Sequence, residues 1–469
     1  MPNADSILPD PSPESTDHAE TGIRRHFRRG GLANDTAWSA LHDVSQLLVM
    51  TGTFLLLSTR LTVDDYGRYA GVYGIVGPVG GLTWSGITLA VLQRRLRERD
   101  DVEKVARDFF LLTLCLGVAA VTVATTIGGR VIPHLAITTI LAVMVAELLA
   151  NAVNMVSIAM VQAEKGFAPA TRLRMVTLGI RIAVVLLLTA TGNLTIPHLG
   201  IGYTIGFSVY LVVILVVVLP RHGIRFALGR PSPGTGRTTA SISLPIAAGV
   251  LQQDGDKTVL NAYHFPHTAG LYAAAFRVVS MGLMPLRALE GAAFQRFLPH
   301  DDSARNEHTR RAARFSVLAL GLSIVLAIGI LVCRPIVHVL IGDKFRGAED
   351  MIPWLLPFLP LTAVSNAPSN GLLGLGKLGV RAAIYTTSAI VSLTLYIALI
   401  PVFHDHWKGA VAGTIAGEAY LAIAGWTTLF HFQRKHNETL DQGTPDDDAL
   451  DEAELEHAVL DVHTSDPTA

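Results

Sequence analysis

The chain has 469 residues, half of them hydrophobic and only 16% charged, with a mean hydropathy of +0.42 and a net charge of −1. Soluble domains carry about 25% charged residues, so this composition points to the membrane, and the near-neutral balance gives no general case for nucleic-acid binding. Cys115 and Cys333 each lie inside an apolar run and read as small core hydrophobes rather than as a disulfide or a metal pair.

Residues 1–35 are polar and end in a basic cluster, Arg24-Arg25-His26-Phe27-Arg28-Arg29, without the pattern of a signal peptide. A helix needs about 20 mostly apolar residues to cross a bilayer core. Runs that meet this, some with single polar interruptions, lie near 37–59, 67–92, 108–129, 135–160, 169–191, 197–219, 240–262, 269–295, 313–333, 351–375, 380–402 and 408–430. The expected fold is therefore all-α and integral to the membrane, with about twelve crossings.

Lys and Arg are retained in cytoplasmic loops, which sets orientation. With the N-terminus inside, the inner segments hold the first basic cluster, then Arg94, Arg95, Arg97, Arg99, Lys104 and Arg107, and so on through Arg434 and Lys435. The outer segments hold only Arg60, Arg130, Arg334, Lys344, Arg346 and Lys408. Both termini are expected in the cytoplasm.

The stretch Pro231-Ser232-Pro233-Gly234-Thr235-Gly236 marks a linker, 221–238, between six-span halves at 36–220 and 239–432. The halves echo each other. Gly67-Arg68-Tyr69-Ala70-Gly71-Val72-Tyr73 returns 203 positions later as Gly270-Leu271-Tyr272-Ala273-Ala274-Ala275-Phe276. Thr204-Ile205 with Tyr210-Leu211 returns as Thr414-Ile415 with Tyr420-Leu421. An even number of crossings per half gives the repeats the same orientation, the parallel arrangement of many transporters. Residues 433–469 form an acidic, apolar-poor tail (Asp446-Asp447-Asp448, Asp451-Glu452), read as a solvated end.

Intramembrane charge is costly enough to mark function. Lys257 and Asp254, with Asp256 and Gln252-Gln253, fall in the outer half of the seventh span, and Arg277 enters the eighth from outside to a comparable depth. Arg287 and Glu290 lie one turn apart toward the inner end of the eighth, and His42, Asp43 and Gln46 fall in the first. Glu147 and Arg181 are both near mid-membrane and can form a structural ion pair, while Arg68 can reach the interface. Lys257 with Arg277 suits an anionic group such as a phosphate or diphosphate. The second span is rich in glycine around Pro78, which reads either as close packing or as a hinge, with Pro285 its partial counterpart.

Enzyme chemistry finds no support. There is no Gly-rich phosphate loop with Lys-Ser or Lys-Thr, the histidines show no metal-ligand spacing, and no cofactor is expected.

Four stretches carry a family resemblance: Leu61-Thr62-Val63-Asp64-Asp65-Tyr66-Gly67-Arg68-Tyr69-Ala70; Ala269-Gly270-Leu271-Tyr272-Ala273-Ala274-Ala275-Phe276-Arg277; Leu340-Ile341-Gly342-Asp343-Lys344-Phe345-Arg346-Gly347-Ala348; and Ile400-Pro401 with Gly409-Ala410-Val411-Ala412-Gly413-Thr414. In this order the chain resembles the polysaccharide or oligosaccharide flippases, in the superfamily that also holds the multidrug and toxin extrusion (MATE) transporters. The resemblance implies two six-helix bundles around a cleft lined by the first, second, seventh and eighth helices. It implies transfer of a polyprenyl-diphosphate oligosaccharide from the inner to the outer leaflet of a bacterial plasma membrane. The partners it implies are membrane lipids and the glycosyltransferases or polymerase of the same pathway. On that view Lys257, Arg277 and Arg287 would attract the diphosphate, with Asp43, Asp254 and Asp256 as counter-charges or ion-coupling carboxylates. A drug-type antiporter of the same superfamily would place carboxylates in the cleft instead, and a non-transporting scaffold would act through its charged tails.

Overall fold

The computed structural model describes residues 29–442 apart from 97–98, 226–228, 230 and 295–306, and among the described residues there is no strand. The basic cluster at 24–28 and most of the acidic tail lie outside the described residues.

In chain order the helices are α1 (Arg29–Arg60), α2 (Val63–Leu96), α3 (Val102–Val131), α4 (Ile137–Lys165), α5 (Phe167–Ala190), α6 (Ile196–Arg221) and α7 (Thr235–Ala262). There follow α8 (Pro266–Met281), α9 (Leu283–Phe294), α10 (Glu307–Ile341), α11 (Ala348–Leu355), α12 (Phe358–Gly374), α13 (Leu378–Leu399) and α14 (His406–Gln442). Eight of these are long and apolar enough to cross a membrane, and the bent pair α8 and α9 makes a ninth. The expected crossings at 240–262, 351–375 and 408–430 fall on α7, on α11 with α12, and on α14, whose sequences are less apolar. The last helix runs on to Gln442, past the expected start of the acidic tail.

Local chemistry fixes the ends. Thr62 caps α2 by accepting from the Asp65 amide at 3.1 Å, and Arg68 closes the turn by pairing with Asp65 at 2.8 Å. Arg68 therefore spends its charge locally. Asp101 caps α3, and Gly166, at φ 85°, lets α4 turn into α5 through one residue. Interior hydroxyls such as Thr113, Ser157 and Thr386 donate to the carbonyl four residues back, so they do not stand unbonded in hydrocarbon.

Two kinds of feature were invisible in the sequence pattern. π-helical turns interrupt α2 at Gly81–Ser85, α4 at Val145–Ala150 and α6 at Ile214–Val218. The expected eighth crossing is broken at Gly282 by 42°, three residues before Pro285. Pro285 is the third residue of α9, where the missing amide has no intrahelical partner to lose, so the break falls upstream of it. Pro78, by contrast, lies within continuous helix just before the π turn of α2.

In the first half α1 packs on α5, α4 on α6 and α3 on α4; in the second α7 packs on α13, α13 on α14, and α12 on both α10 and α14. The halves meet where α2 lies against α7 and α8. Here a Cβ on Gly67 would stand 1.9 Å from the Pro266 carbonyl oxygen, and one on Gly270 would stand 2.1 Å from that of Val63. Small residues let the backbones approach this closely.

We name the two ends of the bundle by charge. At the basic end Arg94 joins three helices: it pairs with Asp100, donates to Asp108 of α3 at 3.0 Å, and donates to Thr235 of α7 at 2.9 Å. Partial burial works against ionisation of the Asp100 carboxyl, yet Arg94 and Lys104 hold it below the usual carboxylate range. Its contribution is therefore present at neutral pH and is lost as pH falls through that depressed value. Asp108 is fully buried, so Arg94→Ala leaves a carboxylate without its main cation, a loss of about 3–5 kcal/mol. A clear drop in melting temperature of the detergent-solubilised protein is expected; an unchanged melt would show that Arg94 is not a structural staple.

Candidate functional site

α2 has two working faces. Gly67, Gly71 and Gly74 meet α7, where Asn261 Nδ2 donates to the Gly67 carbonyl at 2.8 Å and Thr258 Oγ1 to that of Gly71 at 2.9 Å. The other face carries Tyr66, Tyr69 and Tyr73, with successive ring centroids 6.1 and 4.6 Å apart. This tyrosine ladder ends at the Glu147 carboxylate on one side and beside Arg277 on the other.

On one side Tyr73 donates to Glu147 Oε1 at 2.9 Å, and the same carboxylate grips Arg181 of α5 through two bonds of 2.7 and 2.6 Å. The guanidinium also faces Phe207 at 5.1 Å. The Glu147–Arg181 pair anticipated from the sequence is therefore formed, and Glu147 sits in the π turn of α4, a distortion often found at functional positions. On the other side the Tyr66 hydroxyl lies beside the guanidinium of Arg277 on α8. No carboxylate pairs with Arg277 among the described residues.

Lys257 stands differently. Its Nζ lies 2.9 Å from Asp254 and 3.1 Å from Asp256, donates to the Gln253 carbonyl at 2.7 Å, and sits 4.0 Å from the Phe276 ring centroid. Asp256 is fully buried and also accepts from Tyr272 at 2.6 Å and Thr414 at 3.3 Å. Tyr396 completes this network by donating to the Gln252 carbonyl at 2.6 Å. Asp254 is the open member, with 40% of its side chain exposed.

With a rise of 1.5 Å per residue, Arg181, Asp254 and Arg277 all lie roughly 12–17 Å from the end opposite the basic one. They form one charged level at mid-depth. That opposite end is shut: Lys344 donates to the Thr59 carbonyl at 2.7 Å, Phe345 packs edge-on against Tyr66, and Asp64 meets His267 at 3.0 Å. Toward the basic end Asp43 on α1 and Pro285 and Arg287 on α9 are exposed, and Glu290 takes its hydrogen bond from Asn366 at 2.6 Å rather than from Arg287.

A sequence model described as a polysaccharide biosynthesis protein matches residues 56–350, more than half of the chain. The chain belongs to that family. The fold agrees with solved transporters. An inward-facing multidrug resistance MATE family transporter aligns at 15% identity over 84% of this chain and 96% of its own, with a TM-score of 0.63. The outward-facing form of such a transporter gives 15% identity, 85% and 94% coverage, and a TM-score of 0.59. A transporter from Pyrococcus furiosus, reported with a binding pocket of reversed polarity, gives 14%, 86%, 94% and 0.56. A search of curated proteins by sequence finds no match. The polysaccharide biosynthesis protein described here has a MATE-like fold with several helices long and apolar enough to cross a membrane.

One residue of this family member escaped the sequence reading. Glu418, on α14, is 2% exposed and accepts from Ser365 Oγ at 2.9 Å. The signal was available: it is the one carboxylate inside the apolar run 408–430, directly after the Gly413-Thr414-Ile415-Ala416-Gly417 stretch.

Proposed function

We propose that this transporter moves a lipid-linked saccharide, a polyprenyl diphosphate bearing sugars, from the cytoplasmic to the outer leaflet by alternating access. One observation carries the reading. Arg277 is a half-buried guanidinium at mid-depth with a tyrosine hydroxyl beside it and no carboxylate pairing with it among the described residues. Such a cation, in a medium of low dielectric, favours an anionic ligand, and a guanidinium matches phosphate geometry. Lys257 is held by Asp254 and Asp256, so in this reading it joins the anion only when exposed Asp254 lets go. Arg287 draws the headgroup in from the basic end, while Asp43 remains a counter-charge on the facing wall and Pro78 and Pro285 mark where helices flex.

The charge asymmetry supports a cytoplasmic basic end and both termini inside, in the plasma membrane of a bacterium. The glycosyltransferases or polymerase of a surface-saccharide pathway would then act before and after the transfer. A leaflet assay with labelled lipid-linked oligosaccharide in proteoliposomes tests the activity. Protein-dependent transfer to the far leaflet is expected. Cation-coupled movement of a lipophilic cationic drug, with no lipid transfer, would replace this reading with drug antiport.

A further inference from the structure

The wall that α2 presents to the cleft carries more than an anion site uses. Tyr66, Tyr69, Tyr73, Gly80 and Trp84 share one face of the helix by their spacing, turned away from the glycines that meet α7. A Cβ on Gly80 would stand 2.7 Å from Trp84 Nε1, so the glycine lets the indole lie back along the helix on that face. From Tyr69 to Trp84 this aromatic track covers roughly 22 Å, starting beside Arg277 and running toward the basic end.

Packing accounts for only one end of the track. Tyr66 is 4% exposed, with the Phe54 and Phe345 ring centroids 5.7 and 5.6 Å away. Tyr69, Tyr73 and Trp84 are half-buried. The Tyr69 hydroxyl and the Trp84 ring N–H have no hydrogen-bond partner among the described residues, although such groups normally find one when they leave water. An unpaired hydroxyl in hydrocarbon is costly, so Tyr69 is placed for water or for a polar occupant of the cleft.

The charges along this wall select a neutral occupant. Both terminal nitrogens of Arg181 are taken by Glu147, and Glu147 also accepts from Tyr73, so neither presents an open charge. The exposed Asp254 stands against the glycine face of α2 and is paired with Lys257. A second phosphate would therefore find its cation already bound, and a cationic drug would find its carboxylate bound. A sugar ring fits better: its C–H face can lie on the electron-rich face of an aromatic ring, while its hydroxyls bond to the Tyr69 hydroxyl and the indole N–H. We propose that this face of α2 is a saccharide subsite. With the diphosphate at Arg277, the first sugar rests on Tyr69, one helical turn from Tyr66, and later sugars extend past Tyr73 to Trp84. The subsite rests on the lipid-transfer reading and names the residues that would hold the saccharide part of the substrate.

Binding to the full-length protein in nanodiscs tests this with two probes, polyprenyl diphosphate and the same lipid carrying one hexose. Wild type is expected to bind the hexose-bearing lipid about tenfold more tightly, the size of one aromatic stacking contact. Tyr69→Leu keeps the apolar bulk but removes the ring, and should erase that preference without weakening the sugar-free lipid. Tyr69→Phe keeps the ring and should retain most of the preference, whereas Arg277→Gln should weaken both lipids alike. Equal binding of the two lipids by wild type overturns the subsite and leaves the anion site standing; so does an undiminished preference in a Tyr69→Leu protein that melts like the parent. Trp84→Leu gives an independent reading with a lipid carrying a longer oligosaccharide, whose extra affinity over the one-hexose lipid should fall. An undiminished gain there overturns the track beyond Tyr73. A wild-type protein that binds neither lipid overturns the lipid-transfer reading, and the subsite with it.

Discussion

Arg277→Gln is expected to cut transfer of a lipid-linked oligosaccharide in proteoliposomes by about 30-fold or more, with little change in melting temperature. The glutamine keeps a polar amide beside the Tyr66 hydroxyl and removes the charge. Removing one side of a desolvated charge pair costs about 2 kcal/mol or more, and 1.4 kcal/mol is a factor of ten. The fold does not depend on the charge, because among the described residues no ion pair breaks when it is removed. Arg277→Lys should recover part of the activity, since a point charge replaces a fork that can bind phosphate twice. Lys257→Gln contrasts with it: that change strips Asp256, fully buried, of its cation and should lower stability as well as transport. Full transfer by a well-folded Arg277→Gln protein would remove the anion site from this cleft.

The second large effect concerns packing. Gly67→Ala and Gly270→Ala should each fold poorly or melt well below the parent, because the new methyl meets a backbone oxygen at 1.9 or 2.1 Å and no side chain can swing aside. Overpacking costs about 1–3 kcal/mol even where side chains can adjust, and here two helices must separate. Gly321→Ala is the control. It adds the same methyl in the middle of α10 with nothing within 4 Å, so the helix gains roughly 0.5–1 kcal/mol from lost chain freedom. Equal melting temperatures for Gly67→Ala and Gly321→Ala would show that the seam between the halves is not held by close approach. Thermal melting of the purified proteins decides it.

The sequence is most legible where burial in lipid is simplest. The runs 108–129 and 169–191 became α3 and α5 with ends displaced by a few residues, because each is apolar over nearly its whole length. Where helices exchange hydrogen bonds with one another, the pattern says less. The break at Gly282 and the π turn holding Glu147 are set by neighbouring helices, and neither leaves a mark in local composition. In the site, the spacing of Asp254 and Lys257 foretold their contact, as did the matched depths of Glu147 and Arg181. That Lys257 is enclosed while Arg277 has no paired carboxylate among the described residues could not be read from depth, since it depends on which way each side chain leaves its helix. Glu418 shows in the sequence only as a lone carboxylate in an apolar stretch, and its partner Ser365 stands on a different helix.

The contact between α2 and α8 has one further property. Val63 corresponds to Pro266 in the repeat, Asp64 to His267, and Gly67 to Gly270, each 203 positions on. Gly67 presses on Pro266 while Gly270 presses on Val63, and Asp64 bonds to His267, its own counterpart. Residue i meets j′ and residue j meets i′, which is how two identical subunits meet in an isologous dimer. The seam is thus a self-complementary patch, and a single chain keeps the geometry of a pair of subunits. A substitution there is felt once, since its counterpart is a separate codon, so this chain can change one side of its own dimer interface without changing the other. Gly74 and Arg277, also 203 apart, differ in this way: a residue that lets a helix close on one side, and on the other a cation with no paired carboxylate among the described residues.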